Sequence, residues 1–228
     1  MISLIIPTYK EKENIGKLLF SISQLNLQDF EVIVVDDNSP DKTAEEVEKM
    51  MAVLPLKIKL IKRKGKRDLS LSVLDGFKVA KGEILGVMDA DFSHPPEIIP
   101  QILKELKEYD LVIASRKIPG SEIRNWPLKR KITSGFATFL AKILKPEISD
   151  PLSGFFFFKR KIIEGLKLSP IGYKIGLEIF VKGRYKNFKE VSYIFEERKG
   201  GKSKLNWKVV FKFLFHILRL WLWKITKR

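Results

Sequence analysis

The pattern that most constrains the fold is an alternation of short apolar runs with segments of helical periodicity. Apolar runs typical of buried strands lie at residues 2–6, 31–35, 84–88 and 111–114. Between them, as in residues 12–25, apolar side chains recur with the spacing of an amphipathic helix. The alternation repeats about five times, which predicts an α/β fold with right-handed βαβ crossovers and a mostly parallel sheet flanked by helices.

Polar side chains follow three of these predicted strands. Residues 8–11 follow the first strand, Asp36 and Asp37 follow the second, and Asp89 and Asp91 follow the strand at 84–88. The carboxyl ends of parallel strands share one edge of a sheet, and open α/β sheets bind ligands there. We therefore expect the three clusters to converge in an active site.

The segment Asp89-Ala90-Asp91 places two carboxylates one residue apart at the end of a buried strand. Pro95 and Pro96 then stop the strand and open a helix. Carboxylates in this position suit Mg²⁺ or Mn²⁺, which proteins hold with one or two carboxylates together with substrate phosphates. The segment predicts a divalent-metal diphosphate site, with an ordinary acidic turn as the alternative.

The charge of the chain points to an anionic partner. There are 43 Lys and Arg against 27 Asp and Glu, a net charge of +16, which fits nucleic acid, an anionic membrane or a phosphorylated substrate. The absence of cysteine excludes disulfides, and two histidines cannot form a zinc site alone. Neither a signal peptide nor a membrane-spanning helix is expected from the apolar runs.

The C-terminal segment predicts a helix at a membrane interface. The last 31 residues carry ten Lys or Arg and no acidic residue, and aliphatic and aromatic side chains cover most of the helix surface. Docking on the protein's own core is the alternative, and the helix near 130–145 is a second interfacial candidate. Nucleic-acid binding is disfavoured because the aromatics lie within aliphatic runs. The basic side chains fall on one helical stripe: Lys208, Lys212, His216, Arg219 and Lys224.

Six motifs occur in an order that resembles the family 2 glycosyltransferases of GT-A fold, and within them the dolichol-phosphate mannose synthases. The similarity extends over essentially the whole chain. Its two most specific segments are DPLSGF and RKGGKSK. The motifs are IPTYKE (6–11), VVDDNS (34–39), MDADFSHPP (88–96), SR (115–116), DPLSGF (150–155) and RKGGKSK (198–204).

The resemblance implies a nucleotide-sugar site at the strand ends. The base and ribose would meet Pro7, Tyr9 and Glu11, and the nucleoside would also meet Val35 and Asp37. The sugar diphosphate would meet Asp89, Ala90 and Asp91, with Asp91 on Mg²⁺ or Mn²⁺. Ser93 stands where many relatives have a metal-touching Gln, so it is a second expected metal contact, directly or through water.

The resemblance also implies basic residues around the acceptor phosphate and the donor diphosphate. Asp89, Asp91 and Arg116 are the expected catalytic residues, and Lys131 is an alternative to Arg130. The basic residues that match are Arg116, Arg130, Arg198 and Lys204.

The sequence differs from the family pattern in two further places. Relatives usually carry glycines in the segment 66–72, and their loss here should stiffen the turn and alter how the donor is approached. Some relatives append transmembrane helices, whereas this chain stops after its basic helix. Membrane attachment is therefore expected to be peripheral, at the cytoplasmic face, or to depend on an anchoring partner protein.

The expected reaction is inverting, metal-dependent transfer of a sugar to a polyprenyl or dolichyl phosphate, most simply mannose from GDP-mannose. A phosphate monoester is already a nucleophile at neutral pH, so no general base is needed. Alternatives are a polyprenyl-phosphate glucose synthase using UDP-glucose, another family 2 transferase, or a catalytically weak membrane-binding module. A nucleotidyltransferase is disfavoured because residues 8–11 contain no glycine.

Two further titratable residues have open roles. His94 is expected to cap the following helix, with contact to the donor as the alternative. Glu178 lies on a predicted helix and either approaches the acceptor site or forms a salt bridge with a lysine. We expect a catalytic domain over residues 1–200 and a basic amphipathic helix over 201–228.

Overall fold

A computed structural model describes residues 1–65, 67–196 and 207–226 of the chain. Its first half alternates strands and helices as the sequence pattern predicts. The elements are β1 (Ile2–Thr8), α1 (Lys12–Ser23), β2 (Phe30–Asp36), α2 (Thr43–Val53), β3 (Lys57–Lys62), α3 (Leu69–Val79), β4 (Ile84–Val87), α4 (Ile99–Glu105) and β5 (Leu111–Ser115).

The second half is less regular. Within it, Arg160–Ile162 forms only a 3₁₀ turn, and two short strands lie close together at Phe188–Ser192 and Ile194–Glu196. The elements are β6 (Glu122–Arg124), α5 (Leu128–Leu144), β7 (Phe156–Lys159), α6 (Ile175–Lys182), β8 (Phe188–Ser192), β9 (Ile194–Glu196) and α7 (Trp207–Thr226).

The main sheet has seven strands in the order β3-β2-β1-β4-β7-β5-β8. Strand β7 runs antiparallel to β4 and β5, and the other neighbours in this sheet are parallel. Strands β6 and β9 form a separate two-stranded parallel sheet. The prediction of a mostly parallel α/β sheet flanked by helices is confirmed.

The core lies on both faces of the main sheet because successive side chains of a strand point to opposite faces. Leu4 and Ile6 pack with α1, α2 and α4, whereas Ile5 packs with α3 and α6. One close approach in the sheet requires glycine. A Cβ on Gly86 of β4 would lie 2.3 Å from Cε1 of Phe157, its partner on β7.

A third apolar cluster joins α5, α6 and α7. Ala141 and Leu144 of α5, Leu177 of α6, and Phe213 and Leu220 of α7 form its buried centre. The C-terminal helix is thus docked on the domain along one side. Within the described residues, no helix combines the length and apolarity that crossing a membrane requires.

Candidate active site

A cleft of about 620 Å³ opens at the carboxyl ends of β1, β2 and β4. The expected convergence of the strand-end clusters is therefore observed, since residues from all three clusters line this cleft. It is closed on other sides by the start of α3, the segment before α6, and α7. The lining residues are Pro7, Thr8, Tyr9, Glu11, Asp37, Arg67, Asp68, Leu69, Ser72, Asp89, Ala90, Asp91, Arg130, Ile171, Gly172, Tyr173, Lys174, Val209, Lys212 and Phe213.

The turn after β4 presents Asp89 and Asp91 to the cleft. Asp91 Oδ1 accepts hydrogen bonds from the Ser93 hydroxyl at 2.5 Å and from the Ser93 backbone N–H at 3.2 Å. Ser93 is buried and does not line the cleft. In this structure the Ser93 hydroxyl orients the Asp91 carboxylate, and Asp89 and Asp91 both line the cleft.

His94 supports the same turn. The backbone N–H of Asp89 donates to His94 Nδ1 at 3.0 Å, and the buried ring stacks on Phe155 with centroids 5.1 Å apart. Burial lowers the pKa of His94 to about 3, with the nearby Asp91 charge opposing the shift, so the ring is neutral at pH 7. The expectation that His94 caps the following helix is wrong, because its ring turns back to Asp89.

Lys174 and Arg130 are among the basic side chains that line the cleft together with the paired carboxylates. Lys174, just before α6, donates from Nζ to the Leu152 carbonyl at 3.0 Å. Burial and the neighbouring Arg116 lower the pKa of Lys174 to about 8, and Asp89 opposes them. Arg130, in the first turn of α5, lies with its guanidinium 4.6 Å from the Trp126 ring centroid.

Lys174 is a site residue that sequence reasoning missed. The chain has 43 Lys and Arg, and nothing in the sequence around Lys174 distinguishes it from the other basic residues as a site residue. The sequence of α6 does show an apolar helix whose first residue, Ile175, follows this lysine directly. The packing of α6 on one face of the main sheet brings Lys174 to the cleft.

Arg116 occupies a different environment from the other predicted cations. Its Nε and Nη2 atoms donate to the two carboxylate oxygens of Asp150 at 2.7 and 2.9 Å. Burial opposes ionisation of Asp150, but the hydrogen bonds and charge of Arg116 lower the pKa of that carboxyl. Arg116 does not line the cleft in this structure, but its charge interacts with both Asp89 and Lys174.

The opposite end of the cleft contains Tyr9, Glu11 and Asp37. Asp37 Oδ1 pairs with Arg63 at 2.5 Å, and Oδ2 accepts the backbone N–H of Asp68 at 2.7 Å. This pairing ties the end of β2 to the start of α3. Val35, expected to contact the nucleoside, is a fully buried core residue of β2 and does not line the cleft.

The remaining predicted residues have mixed outcomes. Arg130 lines the cleft, whereas its alternative Lys131 is exposed and does not. Arg198 and Lys204 lie outside the described residues, as does the predicted domain boundary at 200/201. Glu178 is buried and pairs with Lys182, which confirms the salt-bridge alternative.

Comparison with known proteins supports a family assignment. The model of "Glycosyl transferase family 2" matches residues 3–166. The chain is 42% identical over 228 residues to the dolichol-phosphate mannosyltransferase of Pyrococcus furiosus, covering 98% of this chain and 64% of that protein. It is 36% identical to the dolichol-phosphate mannosyltransferase of Saccharomyces cerevisiae, covering 97% of this chain and 87% of the yeast protein.

Solved structures show the same fold at lower identity. Glucosyl-3-phosphoglycerate synthase from Mycobacterium tuberculosis, in complex with Mn²⁺, UDP-glucose and phosphoglyceric acid, has a TM-score of 0.68 and 19% identity. The match covers 95% of this chain and 79% of that one. The GT-A fold and the resemblance to dolichol-phosphate mannose synthases are thus confirmed, and the chain belongs to glycosyl transferase family 2.

Proposed function

We propose that the protein transfers a sugar, most simply mannose from GDP-mannose, to a polyprenyl or dolichyl phosphate. The observation that carries this proposal is the cleft that combines the Asp89–Asp91 pair with Lys174 and Arg130. The relatives named dolichol-phosphate mannosyltransferases, which match nearly the whole chain, support the choice of acceptor. The chain spans less than two thirds of the archaeal relative's length.

The donor fits the cleft with its diphosphate at the end of β4. Asp89 and Asp91 form an oxygen donor set that suits Mg²⁺ or Mn²⁺ completed by substrate phosphate, and these two residues would hold it. When bound, such an ion would neutralise charge that develops on the leaving diphosphate. Lys174 is placed to hydrogen-bond the same phosphates, because its ammonium lies beside Asp89.

The acceptor phosphate needs a cation but no base. Arg130 offers a guanidinium at the cleft, which suits bidentate binding of a phosphate. A phosphate oxygen attacks the anomeric carbon as the bond from that carbon to the donor's β-phosphate oxygen breaks. The electron pair leaves with the nucleoside diphosphate, and in-line attack inverts the configuration at the sugar.

We also infer that the protein binds a membrane surface through α5 and α7. Both helices carry large apolar side chains that are at least 44% exposed, and both pack in the same cluster beside the cleft. A lipid-linked acceptor would reach Arg130 from that surface. Location at the cytoplasmic face stays a prediction. The exposed side chains are Leu128, Ile132, Phe136, Phe139, Ile143, Val210, Phe211, Leu214, Phe215, Leu218, Trp221, Leu222 and Ile225.

The test is transfer of radiolabelled sugar from GDP-mannose, and separately from UDP-glucose, to a polyprenyl phosphate with Mn²⁺ or with EDTA. We expect lipid product that depends on the metal. Asp91→Asn should lower the rate by at least about 100-fold, because several kcal/mol of charge stabilisation is lost. Asp29→Asn is the matched control, since Asp29 precedes β2 at the opposite edge of the sheet.

Two results would count against the proposal. Full metal-dependent transfer by the Asp91→Asn variant would show that the paired carboxylates do not hold the donor complex. Lack of product from both donors, with folded and lipid-bound protein, would favour a membrane-binding module without this activity.

A further inference from the structure

We propose that Arg67 selects a guanine nucleotide as the donor by reading the edge of the base that stacks at Tyr9. The inference rests on the proposed function, since it concerns the nucleotide of the same donor. It starts from the segment before α3, where glycines expected from the family are replaced by charged residues.

The base of a nucleotide sugar belongs at the Tyr9 end of the cleft. Its diphosphate would lie at the end of β4, beside Lys174 and the divalent ion that Asp89 and Asp91 would hold, so the nucleoside would extend toward the ends of β1 and β2. Tyr9 supplies an aromatic ring there, and nucleobases stack on aromatic rings and on Arg guanidinium planes.

Arg67 lies directly on that ring. Its guanidinium carbon is 4.2 Å from the Tyr9 ring centroid, closer than Lys10 Nζ at 5.7 Å. Both Tyr9 and Arg67 line the cleft. A base that stacks at Tyr9 must therefore meet the guanidinium, either along its edge or across its face.

Hydrogen bonds and ion pairs hold Arg63 and Asp68, the described residues near Arg67 that contact Asp37. On one side Arg63 pairs with Asp37 and, at 2.9 Å, with Asp75. On the other side the Asp68 backbone N–H donates to Asp37 at 2.7 Å, and the Asp68 carboxylate caps α3 by accepting from the Ser70 N–H at 3.0 Å. Arg67 is thus joined directly to an anchored residue, Asp68, and its guanidinium contacts the Tyr9 ring, which favours directional recognition over a diffuse charge effect.

The chemistry of Arg favours guanine among the common donor bases. Guanine presents two adjacent acceptors, O6 and N7, and Arg binds them with two parallel hydrogen bonds. Adenine offers one acceptor beside a donor on the same edge, and uracil has no equivalent pair of adjacent acceptors. Glu11 adds a carboxylate acceptor at the same end of the cleft, which suits the N–H groups of guanine.

The experiment is isothermal titration calorimetry of the full chain with GDP and with UDP, each in the presence of Mn²⁺. We expect tighter binding of GDP, and we expect Arg67→Ala to weaken GDP binding about 5- to 100-fold while changing UDP binding much less. Lys64→Ala removes the same charge from an exposed position of the same segment and should leave both affinities unchanged.

Further outcomes separate recognition from charge. Arg67→Lys keeps the charge but loses the planar fork, so it should remain impaired for GDP. An equal loss for both nucleotides, full rescue by Arg67→Lys, or no effect of Arg67→Ala would overturn the proposal. Binding is measured without transfer, so clear GDP selectivity with no sugar transfer would fail the proposed function and leave this inference standing.

Discussion

Hydrogen bonds made by two buried side chains, His94 and Ser93, hold the turn that carries Asp89 and Asp91. His94 stays neutral because it is buried, and as an acceptor it fixes the Asp89 backbone N–H. Ser93 then orients Asp91 through a 2.5 Å hydrogen bond. The two carboxylates therefore reach the cleft in a prepared geometry, so a bound diphosphate would not have to reorganise them.

Lys174 is expected to contribute to binding of the nucleotide sugar. We expect Lys174→Met to lower kcat/KM for the nucleotide sugar about 10- to 100-fold, because a hydrogen bond to a charged phosphate contributes about 1.5–3 kcal/mol. Steady-state transfer kinetics would measure the change. Lys59→Met on the edge strand β3 removes the same charge away from the cleft and should be neutral.

Thermal unfolding of the Lys174→Met variant guards against a merely structural effect, because the variant leaves the Leu152 carbonyl without this donor. Unchanged kcat/KM in a folded variant would remove Lys174 from the donor site.

At the scale of elements, α7 turns its basic stripe toward the protein rather than away from it. His216 is fully buried, Arg219 donates to the Ser169 carbonyl, and Lys224 donates to the Leu144 carbonyl at 2.6 Å. Lys212 lines the cleft. Arg219 and Lys224 face the protein because the Ser169 and Leu144 carbonyls and Glu178 on neighbouring elements interact with them.

This arrangement is compatible with both interpretations of α7, docking on the core and lying at a membrane interface. Docking on the core uses the basic stripe together with Phe213 and Leu220, while a broad apolar surface remains exposed. Periodicity identified an amphipathic helix. Periodicity alone did not show which face of α7 packs on the protein, because both apolar and basic side chains of the helix can find contacts there.

The buried His216 predicts a pH dependence of stability. Burial lowers its pKa to about 4 from 6.5, with Glu178 opposing the shift and Arg219 and Lys182 adding to it. Below pH 6.5 the unfolded chain therefore binds a proton that the folded chain does not. The stabilisation is fully present above pH 6.5 and is lost as pH falls toward 4, by about 2 kcal/mol between pH 7 and pH 5.

Urea unfolding at both pH values, in the protein and in a His216→Leu variant, would measure this effect. The variant should lose about 2 kcal/mol less over that interval, since other titrating groups are common to both proteins. Equal pH dependence in the two proteins would show that His216 titrates normally.

At the scale of the whole molecule, the cleft and the exposed apolar surface lie on the same flank. Helix α7 contributes Val209, Lys212 and Phe213 to the cleft and packs against α5, which carries Arg130. The net charge of +16 adds a long-range attraction to anionic lipid. If the proposed function holds, membrane binding would bring a lipid-linked acceptor to the same flank as the cleft.

Vesicle sedimentation tests that arrangement. We expect the protein to bind vesicles that contain anionic lipid, and we expect Phe136→Glu combined with Phe211→Glu to weaken binding at least about 10-fold, because burial of a Phe contributes about 1.5–3 kcal/mol. Phe20→Glu is the control, since Phe20 is 54% exposed on α1 and lies outside the α5–α7 surface. An equal loss in the control, or no vesicle binding, would contradict the membrane assignment.

Local sequence patterns were enough to predict the strands and helices and the edge of the sheet where the cleft lies. Strand and helix periods are properties of neighbouring residues, and strand-end polar clusters such as Asp36–Asp37 and Asp89–Asp91 must share the carboxyl edge of a parallel sheet. The resemblance to the family added the expectation that Tyr9 and Glu11 meet the donor, and both line the cleft.

Contacts between side chains that are distant in the chain could be read only from the folded protein. The antiparallel insertion of β7, the pairing of Arg116 with Asp150, the approach of Lys174 to Asp89 and the inward turn of the α7 basic stripe each join distant segments. For the charged side chains among these, several oppositely charged or carbonyl partners exist in the chain, and the fold decides which of them lies within reach. Local periodicity contains no information about that choice, because it is settled by burial and distance in the folded chain.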